Sequence, residues 1–327
     1  MKTVNLGRSG LCVSEVCLGT MTFAREADEK ESFAIADYFV EQGGYFVDTA
    51  NVYSAGASEE CVGRWIKERG NRDRVVLATK VYGEMGPHPN ESGLSRIHIM
   101  REVENSLRRL QTDVIDLYQI HRWDPGAPLE ETVRALDDLV RQGKVRYVGA
   151  SNLKAYQLLS FLHYADQVGA ARFVSLQPVY NAINRGIELE VLPLCQREGL
   201  GVMAYNPLAG GLLTGKYTKN GDLPRGSRME AFGFYHDRYF TDQALATVER
   251  FVAHAKEIGM SPAQLAFAWV RGDKRVTVPI VGARNVEQIA DTLGGLEREL
   301  TADERAVVPA LPPGRWVGID PVYDRNE

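Results

Sequence analysis

No stretch of the 327-residue chain approaches the ~18 uninterrupted apolar residues that a membrane-spanning helix needs. Its first residues, MKTVNLGRSGLCVSEVCLGT, lack the basic start, long apolar core and small-residue cleavage site of a secretory signal. The expected location is therefore the cytoplasm, with no membrane partner. Cysteine is scarce: Cys12, Cys17, Cys61 and Cys195 stand apart, without a C-x-x-C pair or a neighbouring histidine. That pattern offers neither a zinc site nor a disulfide framework, so the four read as reduced packing residues and no metal is expected. Positive charge is in deficit, 38 Lys and Arg against 43 Asp and Glu, for a net charge of −5. Sequence-independent attraction to nucleic acid or to an anionic membrane is excluded on that balance, and any bound phosphate must be held locally. Low-complexity segments, sharp repeats and a G-x-G-x-x-G following a strand are also absent.

What is present has a rhythm. With 44% hydrophobic and 25% charged residues the composition is that of an ordinary globular protein. Short β-branched or aromatic runs recur at 13–18, 45–50, 75–80, 115–121, 145–152, 173–180, 201–207 and 276–283. Between them lie segments such as Glu31 to Val40, Ser95 to Leu110 and Leu129 to Val140, whose apolar residues return three and four apart. Strand then helix, eight times over, predicts an α/β protein folded as a (β/α)₈ barrel. The length alone would allow one domain or two, but no composition break or linker interrupts the alternation, so 1–327 reads as a single barrel domain. The segment VNLGRSGLCVSEV predicts a hairpin, with Gly7 and Gly10 at its turn, that caps the barrel bottom. The interval before the eighth run holds a Gly- and Pro-rich loop, about Pro207 to Arg228, and two extra helices near Leu245 to Ile258 and Pro262 to Val270; a further helix follows it near Val286.

In such barrels chemistry gathers at the carboxyl ends of the strands. Asp48, Lys80 and His121 each close a run on that face, and Tyr53 follows Asp48 in the loop. Singly each has an ordinary alternative: a turn aspartate, a surface lysine, a core histidine, a packing tyrosine. Together they make a proton donor for an alkoxide. A buried lysine favours phenolate in a neighbouring tyrosine, an aspartate keeps the lysine charged, and a histidine donates to the same carbonyl oxygen.

The strings GxxxxDTAxxYxxGxSE (Gly43 to Glu59), VVLATK, DVIDLYQIH, VRYVGASN and QPVYN resemble the aldo-keto reductase family, of the bacterial general type, over nearly the whole chain. The resemblance implies NADPH-linked reduction of an aldehyde or ketone, with the catalytic tetrad at Asp48, Tyr53, Lys80 and His121. It implies that Tyr53 protonates the carbonyl oxygen, that Lys80 and Asp48 tune Tyr53, and that His121 orients the carbonyl. It also implies that Ser151, Asn152 and Gln177 hydrogen-bond the nicotinamide carboxamide while Tyr205 stacks on the ring. The run YNPLAGGLLTGKY is similar to the diphosphate-covering loop of the aflatoxin-aldehyde reductase branch, so Pro207, Leu208, Gly210, Leu212 and Lys216 are expected along the diphosphate and Arg228 as a clamp from the loop's far end. Gly210 to Lys216 also spells G-x-x-x-x-G-K, but Tyr217 stands where a P-loop needs a Ser or Thr hydroxyl for magnesium.

After the eighth strand, IVGARNVEQIADT opens a helix whose free N–H groups suit an anion. Arg284 is the expected holder of a 2′-phosphate, since a guanidinium binds it through two parallel hydrogen bonds. Gln288, Asp291 and Thr292 are expected at the adenosine, beside Gly282. Many family members have lysine near 282, arginine at 288 and asparagine at 292, and this chain departs at all three. Met21, Phe23, Tyr82, Trp123 and Phe232 are expected to shape an apolar substrate pocket without a specific code. Two further resemblances offer alternatives: a cofactor-sensing subunit like the channel β subunits, and, through GEM…NESGLS…HI (Gly83 to Ile99), a reductase of nucleotide-linked deoxysugars.

Overall fold

The computed structural model describes residues 1–217, 223, 225, 227–231, 233, 236 and 239–306. Two short strands, β1 (Thr3–Asn5) and β2 (Cys12–Ser14), pair antiparallel, and eight parallel strands follow. These are β3 (Cys17–Gly19), β4 (Phe46–Asp48), β5 (Val76–Val81), β6 (Ile115–Ile120), β7 (Val145–Ser151), β8 (Ser175–Gln177), β9 (Gly201–Ala204) and β10 (Val278–Val281). They close in sequence order, β10 pairing with β9 on one side and β3 on the other.

The first apolar run, expected as one barrel strand over 13–18, divides. Ser14 is the reason. Its hydroxyl donates to the Val16 carbonyl at 2.7 Å and accepts from the Tyr45 and Phe46 amides at 3.1 and 3.2 Å, so the chain turns there from hairpin into barrel. The hairpin does cap the bottom: Leu6, Leu11 and Val13 pack with the barrel-interior residues Cys17, Phe46, Ala78, Leu117, Met203, Val278 and Ile280. Its turn demands glycine at 7, because φ is +62° and a Cβ would lie 2.5 Å from the Gly199 carbonyl oxygen.

Helices α1 (Glu29–Glu41), α2 (Ala57–Arg69), α3 (Arg96–Leu110), α4 (Leu129–Arg141), α5 (Ala155–Val168) and α6 (Val191–Glu198) cross over between successive strands. In α4 the apolar residues Val133, Leu136 and Leu139 fall on one buried face, which seats the helix against the sheet. After β9 come α7 (Arg228–Ala231), α8 (Asp242–Glu257) and α9 (Pro262–Arg271). The last begins with a capping box, Ser261 with Gln264, and has proline in its first turn. After β10 come α10 (Val286–Gly294) and α11 (Ala302–Ala306). Among the described residues no helix is long and apolar enough to cross a membrane.

Candidate active site

The strand ends deliver four ionisable side chains to one place. Asp48 is the last residue of β4, Lys80 lies one residue before the end of β5, His121 follows β6, and Tyr53 opens a 3₁₀ turn (Tyr53–Gly56) beyond β4. Lys80 is fully buried, and its Nζ donates to Asp48 Oδ2 at 2.5 Å, to the Thr49 carbonyl at 2.9 Å and to the Tyr53 hydroxyl at 3.2 Å. The rings of Tyr53 and His121 meet edge to face with centroids 5.8 Å apart.

The electrostatics divide the two bases. Burial by itself would lower the Lys80 pKa, but the Asp48 carboxylate and the Tyr53 hydroxyl outweigh it and hold the ammonium above its ordinary range. His121 goes the other way: burial, then the Lys80 and Arg122 charges, push its pKa well below the usual imidazole range, so the ring is neutral at neutral pH. Asp48 is itself fixed, because Oδ1 accepts from Gln119 Nε2 and Gln177 Nε2, both at 3.0 Å.

Above this group opens a cleft of about 600 Å³. Tyr53, Asp48 and His121 line it, and so do Ser151, Asn152, Gln177, Tyr205, Pro207, Leu208, Gly210, Lys216, Arg228, Gly282, Arg284, Gln288, Asp291 and Thr292. Lys80 lies beneath its floor. At the inner end the Tyr205 hydroxyl donates to Asn152 Oδ1 at 2.9 Å, while Asn152 Nδ2 donates to the His121 carbonyl at 3.0 Å and to Ser151 Oγ at 2.9 Å. At the other end cations crowd together: burial, then Arg284 and Arg228, lower the Lys216 pKa. Such a cluster is stabilised by an incoming anion.

Residues 15–311 match the model of the Aldo/keto reductase family. The chain belongs to that family. It is 39% identical over 323 residues to the "Uncharacterized oxidoreductase YrpG" of Bacillus subtilis (strain 168), covering 96% of this chain and 97% of the relative. "Protein tas" of Escherichia coli (strain K12) is 35% identical, covering 95% and 97%. The "Probable voltage-gated potassium channel subunit beta" of Arabidopsis thaliana is 37% identical, covering 96% and 94%. This aldo/keto reductase is accordingly an oxidoreductase.

Some expected positions fall elsewhere. The Leu212 side chain is fully buried in the core and does not line the cleft. Phe23 is also buried in the core, after a turn in which its amide bonds the Thr20 carbonyl, whereas Met21 does reach the cleft. Tyr82 is held by Arg122, whose Nη2 donates to its hydroxyl at 2.8 Å, and Trp123 packs edge-on against Phe161; neither lines the cleft. Phe232 lies outside the described residues. The N–H groups opening α10 are not all free, since Val286 donates to Glu31 Oε1 and Gln288 to Asn285 Oδ1. Ala209–Thr214 forms a short 3₁₀ turn rather than the start of a long helix, and Tyr217 is buried, so the P-loop spelling has no P-loop structure.

The sequence reading missed several wall residues. Thr22, Arg25 and Glu26, from the loop after β3, line the cleft, with Thr22 Oγ1 donating to the Ala283 carbonyl at 2.6 Å and Glu26 lying 3.5 Å from Arg228. Asn206 was missed as well. It has φ +63°, accepts the Gly210 amide at 2.6 Å and donates to the Tyr239 hydroxyl at 2.8 Å, and thereby folds the loop after β9. An Asn-Pro step four residues before a Gly-Gly pair was the available signal.

Proposed function

We propose that this aldo/keto reductase works in the cytoplasm and uses NADPH to reduce the carbonyl of a small aldehyde or ketone, with Tyr53 as the general acid. The observation that carries the reading is the Lys80 ammonium bonded at once to Asp48 and to the Tyr53 hydroxyl beneath an open cleft. Tyr53 gives its proton to the carbonyl oxygen, and Lys80, kept charged by Asp48, stabilises the phenolate that remains. His121, being neutral, donates one hydrogen bond to the same oxygen and orients it without adding a competing acid. The lining residues fit a phosphorylated dinucleotide: Ser151, Asn152, Gln177 and Tyr205 would hold the nicotinamide end. Lys216 and Arg228 would hold the diphosphate, Arg284 a 2′-phosphate, and Gln288, Asp291 and Thr292 the adenosine. The nicotinamide, when bound, supplies the hydride.

A screen of aldehydes and ketones, read as loss of NADPH absorbance, tests this. Turnover of at least one carbonyl class supports it, and none across the panel contradicts it. The channel-subunit relative favours a second reading, a cofactor-holding binding subunit. That reading predicts tight NADPH binding with no carbonyl turned over faster than cofactor release.

A further inference from the structure

Tyr53 is carried by an unusual piece of backbone. The residues after it, Ser54, Ala55 and Gly56, have φ of +51°, +53° and +98°, so three consecutive positions are left-handed and two of them are not glycine. L-residues avoid that conformation, and such a turn keeps its shape only where its surroundings hold it. The hold is visible at both flanks. Asn51, two residues before Tyr53, donates through Nδ2 to Glu102 Oε2 at 3.1 Å. Glu59, six residues after it and fully buried, accepts through Oε2 from Arg109 Nε at 2.6 Å. Arg109 joins the two ties, because its Nη2 also donates to Glu102 Oε2 at 3.2 Å. The stem of Arg109 packs so close to Gly56 that a Cβ there would lie 2.8 Å from Arg109 Cδ.

The same network grips the other partner. Thr79 donates its hydroxyl to Glu59 Oε1 at 2.6 Å, and the Asn51 amide donates to the Lys80 carbonyl at 3.1 Å. The loop bearing Tyr53 and the strand bearing Lys80 are thus both fastened to one pair of α3 side chains, on the outer side of the barrel wall.

We propose that Arg109, which does not line the cleft, is a positioning residue that sets the 3.2 Å contact between Tyr53 and Lys80 by tying Glu59 to Glu102. A guanidinium suits the task because its fork reaches two carboxylates in a fixed geometry, which an ammonium cannot reproduce. Removing it leaves Glu59 and Glu102 buried beside each other without their shared cation, and the left-handed turn relaxes away from Lys80. The inference rests on the reading of Tyr53 as proton donor, but it concerns the geometry of Tyr53 and can be tested without turnover.

The experiment is a pH titration of the ligand-free full chain labelled with carbon-13 at the tyrosine ζ position, with the Tyr53 signal identified by its loss in Tyr53→Phe. In Arg109→Met the acid dissociation constant of the Tyr53 phenol should fall by roughly tenfold or more, because the ammonium that favours phenolate is farther away. NADPH affinity, measured by fluorescence quenching, should change less than about threefold, since no residue of α3 lines the cleft. Arg109→Lys keeps the cation but loses the fork; it should give a smaller shift in the same direction, and it decides the matter if the methionine variant does not fold. An unmoved Tyr53 titration in a folded variant overturns the proposal, and so does a fall in thermal stability with the titration unchanged. Turnover of Tyr53→Phe separately tests the reading beneath it.

Discussion

Lys80 keeps its charge with no side open to water because Asp48 and Tyr53 supply the partners that water would. Lys80→Met therefore removes more than a contact: it leaves a buried Asp48 carboxylate without its cation and a phenol without the neighbour that stabilises its anion. The pH–rate profile of that variant should be displaced as well as lowered; a profile lowered at every pH without displacement would separate Lys80 from Tyr53. Tyr53→Phe deletes only a hydroxyl, so turnover should drop by at least ~10² while dinucleotide affinity is nearly kept. His121 gives a stability prediction. Its folded pKa lies below the unfolded value of ~6.5, so the unfolded chain binds the proton more readily. The stability it contributes is present above that pH and is lost as pH falls through and below it. His98, likewise depressed by burial, acts with the same sign. Urea unfolding should then show a falling midpoint below about pH 6.5, with a shallower slope in His121→Gln. At this scale Asp48, Lys80 and His121 were legible because an ionisable residue ending an apolar strand is conspicuous. Glu59, Glu102 and Arg109 were not, because charged residues at helical spacing look like any solvated face until the packing of α2 on α3 buries them.

The elements were legible where periodicity is strong. Seven of the eight strand runs, and the helices between them, fall where alternation put them, since β-branched runs and apolar stripes are local signals. The first run was misread because hairpin and barrel strand are contiguous in sequence, and it is the bonds of the Ser14 hydroxyl that turn the chain between them. The seat of the hairpin on the barrel is testable: Gly7→Ala puts a Cβ against the Gly199 carbonyl at positive φ, and should lower unfolding stability by more than ~1 kcal/mol while leaving cofactor affinity unchanged. The entrance of α10 carries a second test. The first amides of this helix are partly used by Glu31 and Asn285, and the proposed reading gives discrimination for a 2′-phosphate to the Arg284 side chain. Arg284→Ala should weaken NADPH by roughly 1.5–3 kcal/mol and leave NADH nearly unchanged, as read by paired binding titrations. Equal losses for both cofactors would assign Arg284 to the fold or the adenine.

For the molecule as a whole, closing eight strands in chain order brings residues from positions 19 to 292 around one cleft, with the hairpin sealing the opposite end. The cleft's polar floor and much of its wall were readable in advance, but the stretch of wall that follows β3 was not. Thr22, Arg25 and Glu26 sit in a loop whose sequence has no periodicity, and their place depends on the approach of β3 to β10. The most direct test of the account is isotope transfer. NADPH carrying deuterium as the pro-R hydrogen of C4, the one that the proposed reading predicts is transferred, incubated with a carbonyl panel in excess chelator, should deliver deuterium to the carbinol carbon with the wild-type protein, at a rate lowered at least ~10² in Tyr53→Phe. Deuterium retained in the oxidised cofactor, or transfer unaffected by loss of the Tyr53 hydroxyl, would contradict it.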